Sequence, residues 1–286
     1  MINERQLDRA VTDLGLAGRP VMVHASLRSF GERVEADGLL EVFRARGCTV
    51  LVPAFTEPRF GMAAPEWARP PRNGIDYVSP PEPYAAADAP VYRVDHGLVN
   101  PRLGALPAAL VRRADAARGD HPLNSFASIG PLAEHLAAAQ HPGDVYGPIR
   151  ALADLGGAVL LVGVDLRSMT ALHLAEQLAG RRLFVRWARD AHGRISPFEV
   201  GSCSQGFLRL GGVLAPYGRR TAVGKSSWRA YSARDAVAAA AAAIAADQEI
   251  TRCSDADCLL CRDAIAGGPV LPDGAVKGTA FGATGS

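Results

Sequence analysis

The chain has 286 residues, of which 48% are hydrophobic and 21% charged, and its formal net charge is +2. This composition is typical of a globular protein with a large core and excludes a disordered chain. Basic residues form no stripe, which argues against a nucleic-acid partner, and no apolar run reaches the roughly 18 residues of a membrane-spanning helix. The charged N-terminus lacks the apolar core of a signal peptide, so we expect the protein in the cytoplasm.

The N-terminal part of the chain alternates helix and strand. Apolar periodicity predicts helices over residues 4–16 and 37–47, the second of which ends at Gly47. The runs "PVMVHASL" (20–27) and "CTVLVPAFT" (48–56) are typical of buried strands. This alternation predicts an α/β sheet.

Residues 57–100 interrupt the alternation with a proline-rich stretch that has no clean period. A loop of this length in a compact domain is usually either a binding loop or an unstructured insertion. Trp67, Tyr77 and Tyr84 favour a partly ordered loop that faces a substrate, while an insertion without function remains the alternative.

The second half of the chain continues the α/β pattern. The predicted elements are a helix (104–119), an extended segment that becomes helical after Pro131 (121–141), the strongest buried strand of the chain (158–164), a helix (170–180), a hairpin around "AHGR", and an alanine-rich helix with Ser232 as its N-cap (232–250). We therefore expect one domain over residues 1–266 and a flexible tail over residues 267–286.

Two polar motifs follow or precede predicted strands. In "VHASLRSFG" (23–31), His24 and Ser26 end a buried strand, where ligands gather in open α/β sheets, and the serine region could hold an oxyanion. A serine or cysteine hydrolase that combines this pair with a remote acid is a weaker alternative, because two residues at one strand end need not be in contact. The second motif, "HPLNSFASIG" (121–130), offers the polar side chains of Asn124, Ser125 and Ser128. Both motifs also have an ordinary structural interpretation, as a satisfied histidine and as a turn before a capped helix.

One histidine and one glutamate are placed for acid/base chemistry. His173 and Glu176 lie three residues apart in "SMTALHLAEQLAG" (168–180), so they share one face of the predicted helix. A histidine can accept a proton near neutral pH, and a neighbouring carboxylate can orient its ring. The alternative interpretation is a surface ion pair.

The five cysteines are unevenly placed. Cys48 lies in an apolar strand and is expected in the core. Three others form a C-x4-C-x2-C cluster, Cys253, Cys258 and Cys261. In a cytosolic protein such a cluster indicates a metal before a disulfide. Cys203 is the candidate fourth ligand for a structural zinc ion, and Asp255 or Asp257 could also serve. Reduced thiols without metal remain the alternative.

Four motifs, taken in order, resemble the aminoglycoside 3-N-acetyltransferase family. They are "VMVHASLRSFG", "LVPAFT", "HPLNSFASIG", and an apolar strand followed by "TALHLAE". The resemblance covers roughly residues 5–250, and the cysteine cluster marks a subgroup.

The resemblance implies a fold, a reaction and a set of site residues. The fold would be a single α/β domain around a central mixed β-sheet flanked by helices, the antibiotic N-acetyltransferase fold rather than the GCN5-like one. The reaction would be direct acetyl transfer from acetyl-CoA to a primary amine, with His173 as general base and Glu176 as its partner. The residues expected to line the acetyl-CoA site are His24, Ser26, Leu27, Ser125, Phe126 and Tyr146.

Departures from the family pattern leave the acceptor open. The loop that usually helps to hold CoA reads "YGPIRAL" (146–152) and lacks its serine, and "DLRSMT" (165–170) replaces a more polar stretch. The small-molecule acceptor is therefore an aminoglycoside or a related amino-sugar compound, or an amine of a biosynthetic intermediate. A catalytically inactive, zinc-stabilised binding protein of the same fold is a further alternative. The sequence also leaves open whether two copies form a homodimer.

Overall fold

The computed structural model describes residues 2–56, 59–81 and 84–271. The strands are β1 (Pro20–Ala25), β2 (Thr49–Pro53), β3 (Ala117–Arg118), β4 (Phe126–Ile129), β5 (Ala158–Val162), β6 (Phe184–Arg189), β7 (Ile195–Val200), β8 (Gly218–Val223) and β9 (Ser226–Ser232). The α-helices are α1 (Glu4–Asp13), α2 (Ala36–Ala45), α3 (Ala105–Leu110), α4 (Ala133–Ala138), α5 (Gly147–Asp154), α6 (Ala171–Leu178), α7 (Gly211–Leu214), α8 (Ala233–Ala246) and α9 (Leu259–Ile265). Among the described residues, no helix combines the length and the apolar character that crossing a bilayer needs.

Seven strands form one central mixed sheet, in the order β3-β4-β2-β1-β5-β9-β8. Strand β1 lies between β2 and β5 and is parallel to both, with Val21 opposite Val50 on one side and Ala158 on the other. The remaining neighbours in this sheet pair antiparallel. The expected α/β class with a central mixed sheet is confirmed.

Helices cover both faces of this sheet. Successive side chains of a strand point to opposite faces, so Val21 and Val23 of β1 pack in the core with α1, α2 and α3, whereas Met22 packs in the core with α5, α6 and α8. Both cores consist of aliphatic and aromatic side chains that are almost fully buried. The candidate site lies at the carboxyl ends of the parallel strands of this sheet.

A further layer comes from the proline-rich segment, which packs on the antiparallel β6–β7 hairpin. The Met62 N–H donates to the Trp187 carbonyl at 2.8 Å, and the Asn73 amide both donates to and accepts from the Val185 backbone. Phe60 and Tyr92 pack with residues of the hairpin in a small apolar cluster. The described part of this segment is therefore an ordered layer that ends near the cleft.

The structure differs from the sequence-based elements at several boundaries. The helix predicted over 104–119 ends at Leu110, because Ala117–Arg118 pairs with β4 instead. Ser232 caps α8 as predicted, but the helix ends at Ala246. Within residues 267–271 of the predicted tail, the Val270 N–H donates to the Arg72 carbonyl at 2.9 Å. The rest of that tail, 272–286, lies outside the described residues.

Candidate active site

A cleft of about 1180 Å³ lies where the parallel strands of the sheet end. The chain that follows β1 forms one wall, and the start of α6 and the loop after β7 form another. Ligands of open α/β sheets bind at the carboxyl ends of the strands, because the loops there leave a crevice. The cleft therefore occupies the position at which the sequence places its polar motifs.

His173 and Glu176 form a hydrogen-bonded pair at this cleft. Both lie on α6, three residues apart, and His173 Nδ1 is 2.8 Å from Glu176 Oε2. A carboxylate accepts hydrogen bonds only, so it holds the ring proton on Nδ1 and leaves Nε2 as the basic nitrogen. The His173 side chain is 12% exposed and lines the cleft, whereas Glu176 is buried behind it.

Two further donors hold the Glu176 carboxylate. Arg181 donates from Nη1 to Oε1 at 2.6 Å, and the Ser202 hydroxyl donates to Oε2 at 2.6 Å. The arginine is itself buried and donates to the Thr251 hydroxyl at 2.7 Å. Both oxygens of the carboxylate are thus satisfied, and its charge is balanced inside the protein, as burial of an ion requires.

Aromatic rings fix the plane of the His173 imidazole. Tyr146 stacks on it with a centroid distance of 6.2 Å and an interplanar angle of 10°, and Phe207 packs at 4.8 Å. A Cβ added at Gly201 would lie 2.9 Å from the His173 ring, so only glycine leaves room there. Burial raises the pKa of Tyr146 well above its ordinary value, and the carboxylates of Glu176 and Glu199 add to the shift, so its phenol stays protonated.

Three of the residues expected at the acetyl-CoA site lie in the first wall of the cleft. His24, Ser26 and Leu27 all line it, and Tyr146 lines it from the α5 side. Burial lowers the pKa of His24 to about 3, so this imidazole is neutral at pH 7. Among the described residues, its Nε2 has no hydrogen-bond partner. The Ser26 side chain makes no capping hydrogen bond to the helical turn that follows it.

Ser125 and Phe126, which are predicted to contact the cosubstrate, are not among the residues that line the cleft and lie behind its wall. The Ser125 hydroxyl is buried and donates to the Ala54 carbonyl at 2.8 Å. Phe126 is buried and packs edge-on against Phe55, which does line the cleft. Both residues support the wall from behind: Phe126 lies opposite Pro53 of β2, and the Ser125 carbonyl accepts a hydrogen bond from the Ala54 N–H at 2.8 Å.

Several lining residues were missed by the sequence analysis. Four arginines line the cleft, namely Arg28, Arg102, Arg167 and Arg186. Arg28 belongs to the "VHASLRSFG" motif, so its position next to Ser26 could have identified it. Asn124 was named only as a polar candidate; it lines the cleft, and its Oδ1 has no hydrogen-bond partner among the described residues.

The proline-rich segment contributes unequally to the cleft. Of its three aromatic candidates, Tyr84 lines the cleft, and Arg186 lies over its ring at 5.1 Å. Tyr77 accepts a hydrogen bond from the Asn73 amide and packs beside the hairpin. Trp67 is 78% exposed and is not among the lining residues.

The four cysteines named as metal ligands come together in space. The Sγ atoms of Cys203, Cys253, Cys258 and Cys261 all lie within 4.8 Å of one another. The fifth cysteine, Cys48, is buried in the core as predicted. Four thiols in this arrangement fit a tetrahedral site for zinc, the metal that sites made of four thiolates most often hold.

Comparisons with known proteins identify the family. The family model described as aminoglycoside 3-N-acetyltransferase matches residues 22–245. Aminoglycoside N(3)-acetyltransferase IX of Micromonospora chalcea is 34% identical over 63% of this chain, a match that spans 64% of that relative. Aminoglycoside N(3)-acetyltransferase VII of Streptomyces paromomycinus is 28% identical over 82% of this chain and 89% of its own length.

Solved structures agree with this match. The apoenzyme of aminoglycoside acetyltransferase AAC(3)-IVa has a TM-score of 0.73 and 25% identity, and the similarity covers 93% of this chain and 97% of that one. A histidine-to-alanine variant of the same acetyltransferase, in complex with apramycin, has a TM-score of 0.64 and 26% identity over 87% of this chain and 94% of that one. The chain therefore belongs to the aminoglycoside 3-N-acetyltransferase family, a family of acyltransferases.

Proposed function

We propose that this protein transfers the acetyl group of acetyl-CoA to a primary amine of an aminoglycoside or a related amino-sugar compound, in the cytoplasm. The observation that carries the proposal is the His173–Glu176 pair on the wall of the cleft, with Nδ1 anchored and Nε2 left basic. A protonated amine cannot attack a thioester, so a base at the acceptor is the first requirement of this reaction.

The proposed reaction is a direct transfer. The acceptor ammonium group first gives up one proton to solvent. His173 Nε2 takes a second proton from the amine nitrogen as that nitrogen attacks the thioester carbonyl carbon. The new C–N bond forms, the C–S bond breaks, and the CoA thiolate leaves. The imidazolium then donates its proton to the departing sulfur, which yields free CoA thiol and a neutral imidazole. Glu176 stabilises the imidazolium during this cycle.

The first wall of the cleft supplies the groups that the acetyl donor needs. The Ser26 hydroxyl, which makes no capping hydrogen bond, can donate to the oxygen on which negative charge develops. Arg28 and Arg102 present guanidinium groups at the same wall, and the phosphates of CoA require such charges. The acetyl donor therefore belongs on the β1 side, and the amine belongs beside α6.

One observation favours the second candidate acceptor, an amine of a biosynthetic intermediate. The described residues that line the cleft include four arginines and no carboxylate. A polycationic aminoglycoside is best held by carboxylates, whereas an intermediate that carries fewer positive charges does not need them. A screen of aminoglycosides and simpler amino sugars with acetyl-CoA separates the two. CoA release only with the simpler amines would assign the protein to biosynthesis.

We further propose that Cys203, Cys253, Cys258 and Cys261 hold one structural zinc ion. The mutual proximity of the four sulfur atoms supports this proposal. A closed set of four protein ligands leaves no open position, so the ion would serve the fold and not the chemistry.

Replacing His173 by alanine tests the proposed function. We expect kcat for CoA release to fall by about 10²–10⁴-fold with a working acceptor, because one positioned base contributes that factor. The matched control is His135→Ala, since His135 lies exposed on α4 and away from the cleft. Turnover of the His173 variant at the wild-type rate would remove this histidine from the mechanism. The intact His173–Glu176 pair also argues against the alternative of a catalytically inactive binding protein. If that alternative holds, the wild-type protein should release no CoA with any acceptor.

A further inference from the structure

The four cysteines come from separate stretches of the chain that meet beside the His173–Glu176 pair. Cys203 follows β7, Cys253 follows the helical turn Gln248–Thr251, and the other two lie at the start of α9. The sulfur separations, all within 4.8 Å, are close to the ~3.8 Å edge of a tetrahedron with Zn–S bonds of about 2.3 Å. The Cys253 N–H also donates to the Cys261 sulfur at 3.4 Å, the kind of outer contact that orients a metal ligand.

Each oxygen of the Glu176 carboxylate is connected to this cluster through a short chain of contacts. Ser202, which donates to Oε2, directly precedes Cys203. Arg181, which donates to Oε1, also donates to the Thr251 hydroxyl, and Thr251 lies two residues before Cys253.

The two cysteine-bearing stretches also pack directly on each other. A Cβ at Gly206, three residues after Cys203, would overlap the carbonyl of Thr251, so the backbones are in close contact there. The loop 201–204 is neither helix nor strand, and therefore has no ladder of backbone hydrogen bonds of its own. A covalent link between Cys203 and the C-terminal cysteines would fix this loop at the position at which Ser202 meets Glu176.

We infer that a zinc ion bound by the four cysteines is a positioning site for catalysis: it clamps Ser202 and Thr251, and through them it aligns Glu176 with His173. This inference rests on the proposed function for its kinetic consequence. Its structural consequence, the alignment of the pair, does not depend on any activity. Outer partners of a functional group typically change activity by about 10–100-fold when they are lost.

The first experiment compares Cys258→Ser with the wild type and with Cys48→Ser, which removes a cysteine outside the cluster. Elemental analysis should find about one zinc per chain in the wild type and in the Cys48 variant, and none in the Cys258 variant. We expect kcat of the Cys258 variant to fall by about 10–100-fold, with the KM for acetyl-CoA within about twofold of the wild type. Wild-type protein that folds without zinc would overturn the inference, as would a metal-free Cys258 variant with unchanged kcat.

A double-mutant cycle asks whether the metal acts through Ser202. Ser202→Ala keeps all four cysteines and should keep the zinc while lowering kcat by a comparable factor. If the clamp is the route, Ser202→Ala combined with Cys258→Ser should be no slower than the slower single variant. Losses that multiply in the combined variant would show that the metal and the hydroxyl act independently, and would refute the clamp.

A spectroscopic readout separates this inference from the proposed function. The ring Nδ1–H of His173, hydrogen-bonded to Glu176, should give a downfield proton signal in protein labelled at histidine nitrogen, assigned by its absence in His173→Ala. We expect this signal in the zinc-loaded wild type, and its loss both on removal of zinc with 1,10-phenanthroline and in Ser202→Ala. Persistence of the signal after zinc removal overturns the inference even if Cys258→Ser fails to fold. Failure of every amine acceptor would reject the proposed function and leave this test intact.

Discussion

Adding a single methyl group at Gly201 tests whether the fixed plane of the His173 ring matters for catalysis. The Cβ of Gly201→Ala would lie 2.6 Å from the Tyr146 hydroxyl oxygen and 2.9 Å from two atoms of the His173 ring. Non-bonded carbon atoms prefer a separation of about 3.5–4.0 Å, so the two rings must move by roughly 0.6–1 Å. The backbone conformation at this position is open to alanine, so the effect is steric.

The two rings cannot move apart freely. Tyr146 is fully buried and stacks on His173, and the imidazole is tied to Glu176 by its Nδ1. A misplacement of about 1 Å can cost about 10²-fold in rate, so we expect kcat to fall by about 10–100-fold. Overpacking should lower the free energy of unfolding by about 1–3 kcal/mol, which leaves the variant folded. The assay is release of the CoA thiol, followed with both substrates varied, together with a urea melt.

Gly212→Ala is the matched control for this substitution. Gly212 lies in α7, and a Cβ there would meet nothing within 4 Å. The control should keep the wild-type kcat and should be at least as stable, because alanine favours a helix. A Gly201→Ala protein with wild-type kcat would show that the ring position is not critical, and would refute the argument from its packing.

Two further predictions concern charge. Burial lowers the pKa values of His24 and His121 to about 3 and raises that of Glu199 to about 7. At about pH 5.5 the unfolded chain holds roughly two imidazole protons that the fold excludes, while only the fold holds the Glu199 proton. The unfolded chain thus binds about one proton more than the fold, so the free energy of unfolding should fall by ~1.4 kcal/mol for each unit by which the pH falls. Glu199→Gln should roughly double that slope in urea melts. A free energy of unfolding that does not change with pH would contradict these pKa shifts. Glu176→Gln, which removes the charge that stabilises the His173 imidazolium, should lower kcat for CoA release at least about tenfold, and an unchanged kcat would exclude that role.

The parts of this fold that the sequence predicts are those with a strong local pattern. The central strands β1, β2 and β5 are continuous apolar runs, because both of their faces are buried, and such runs are visible without any knowledge of the fold. The contact between His173 and Glu176 is equally local, since a helix brings residues three apart onto one face. The mixed sheet and the cleft are predicted from the resemblance to the family.

The parts that escaped prediction depend on contacts between distant segments. Strand β8, which reads "GRRTAV", is exposed at the sheet edge along most of its length and has no apolar run to reveal it. Ser202 reaches Glu176 across 26 residues of chain, and no local pattern marks a serine in a loop as the partner of a buried carboxylate. Tyr146 is predicted from a loop motif to bind the cosubstrate; it lines the cleft, and the stacking of its ring on the imidazole is a contact that the motif does not indicate. Such roles follow from tertiary packing between distant segments, and no short stretch of the sequence reveals that packing.

In the proposed reaction, the contacts that hold Glu176 would also determine where the transferred proton goes. A carboxylate beside an imidazolium could take the ring proton for itself and leave the departing sulfur without an acid. Both oxygens of this carboxylate already have other donors, Arg181 at Oε1 and the Ser202 hydroxyl at Oε2. In the proposed reaction, we therefore expect the proton accepted at Nε2 to stay on the imidazole until the CoA thiolate leaves and takes it. On this proposal His173 carries a proton from nitrogen to sulfur and does not pass it into the protein.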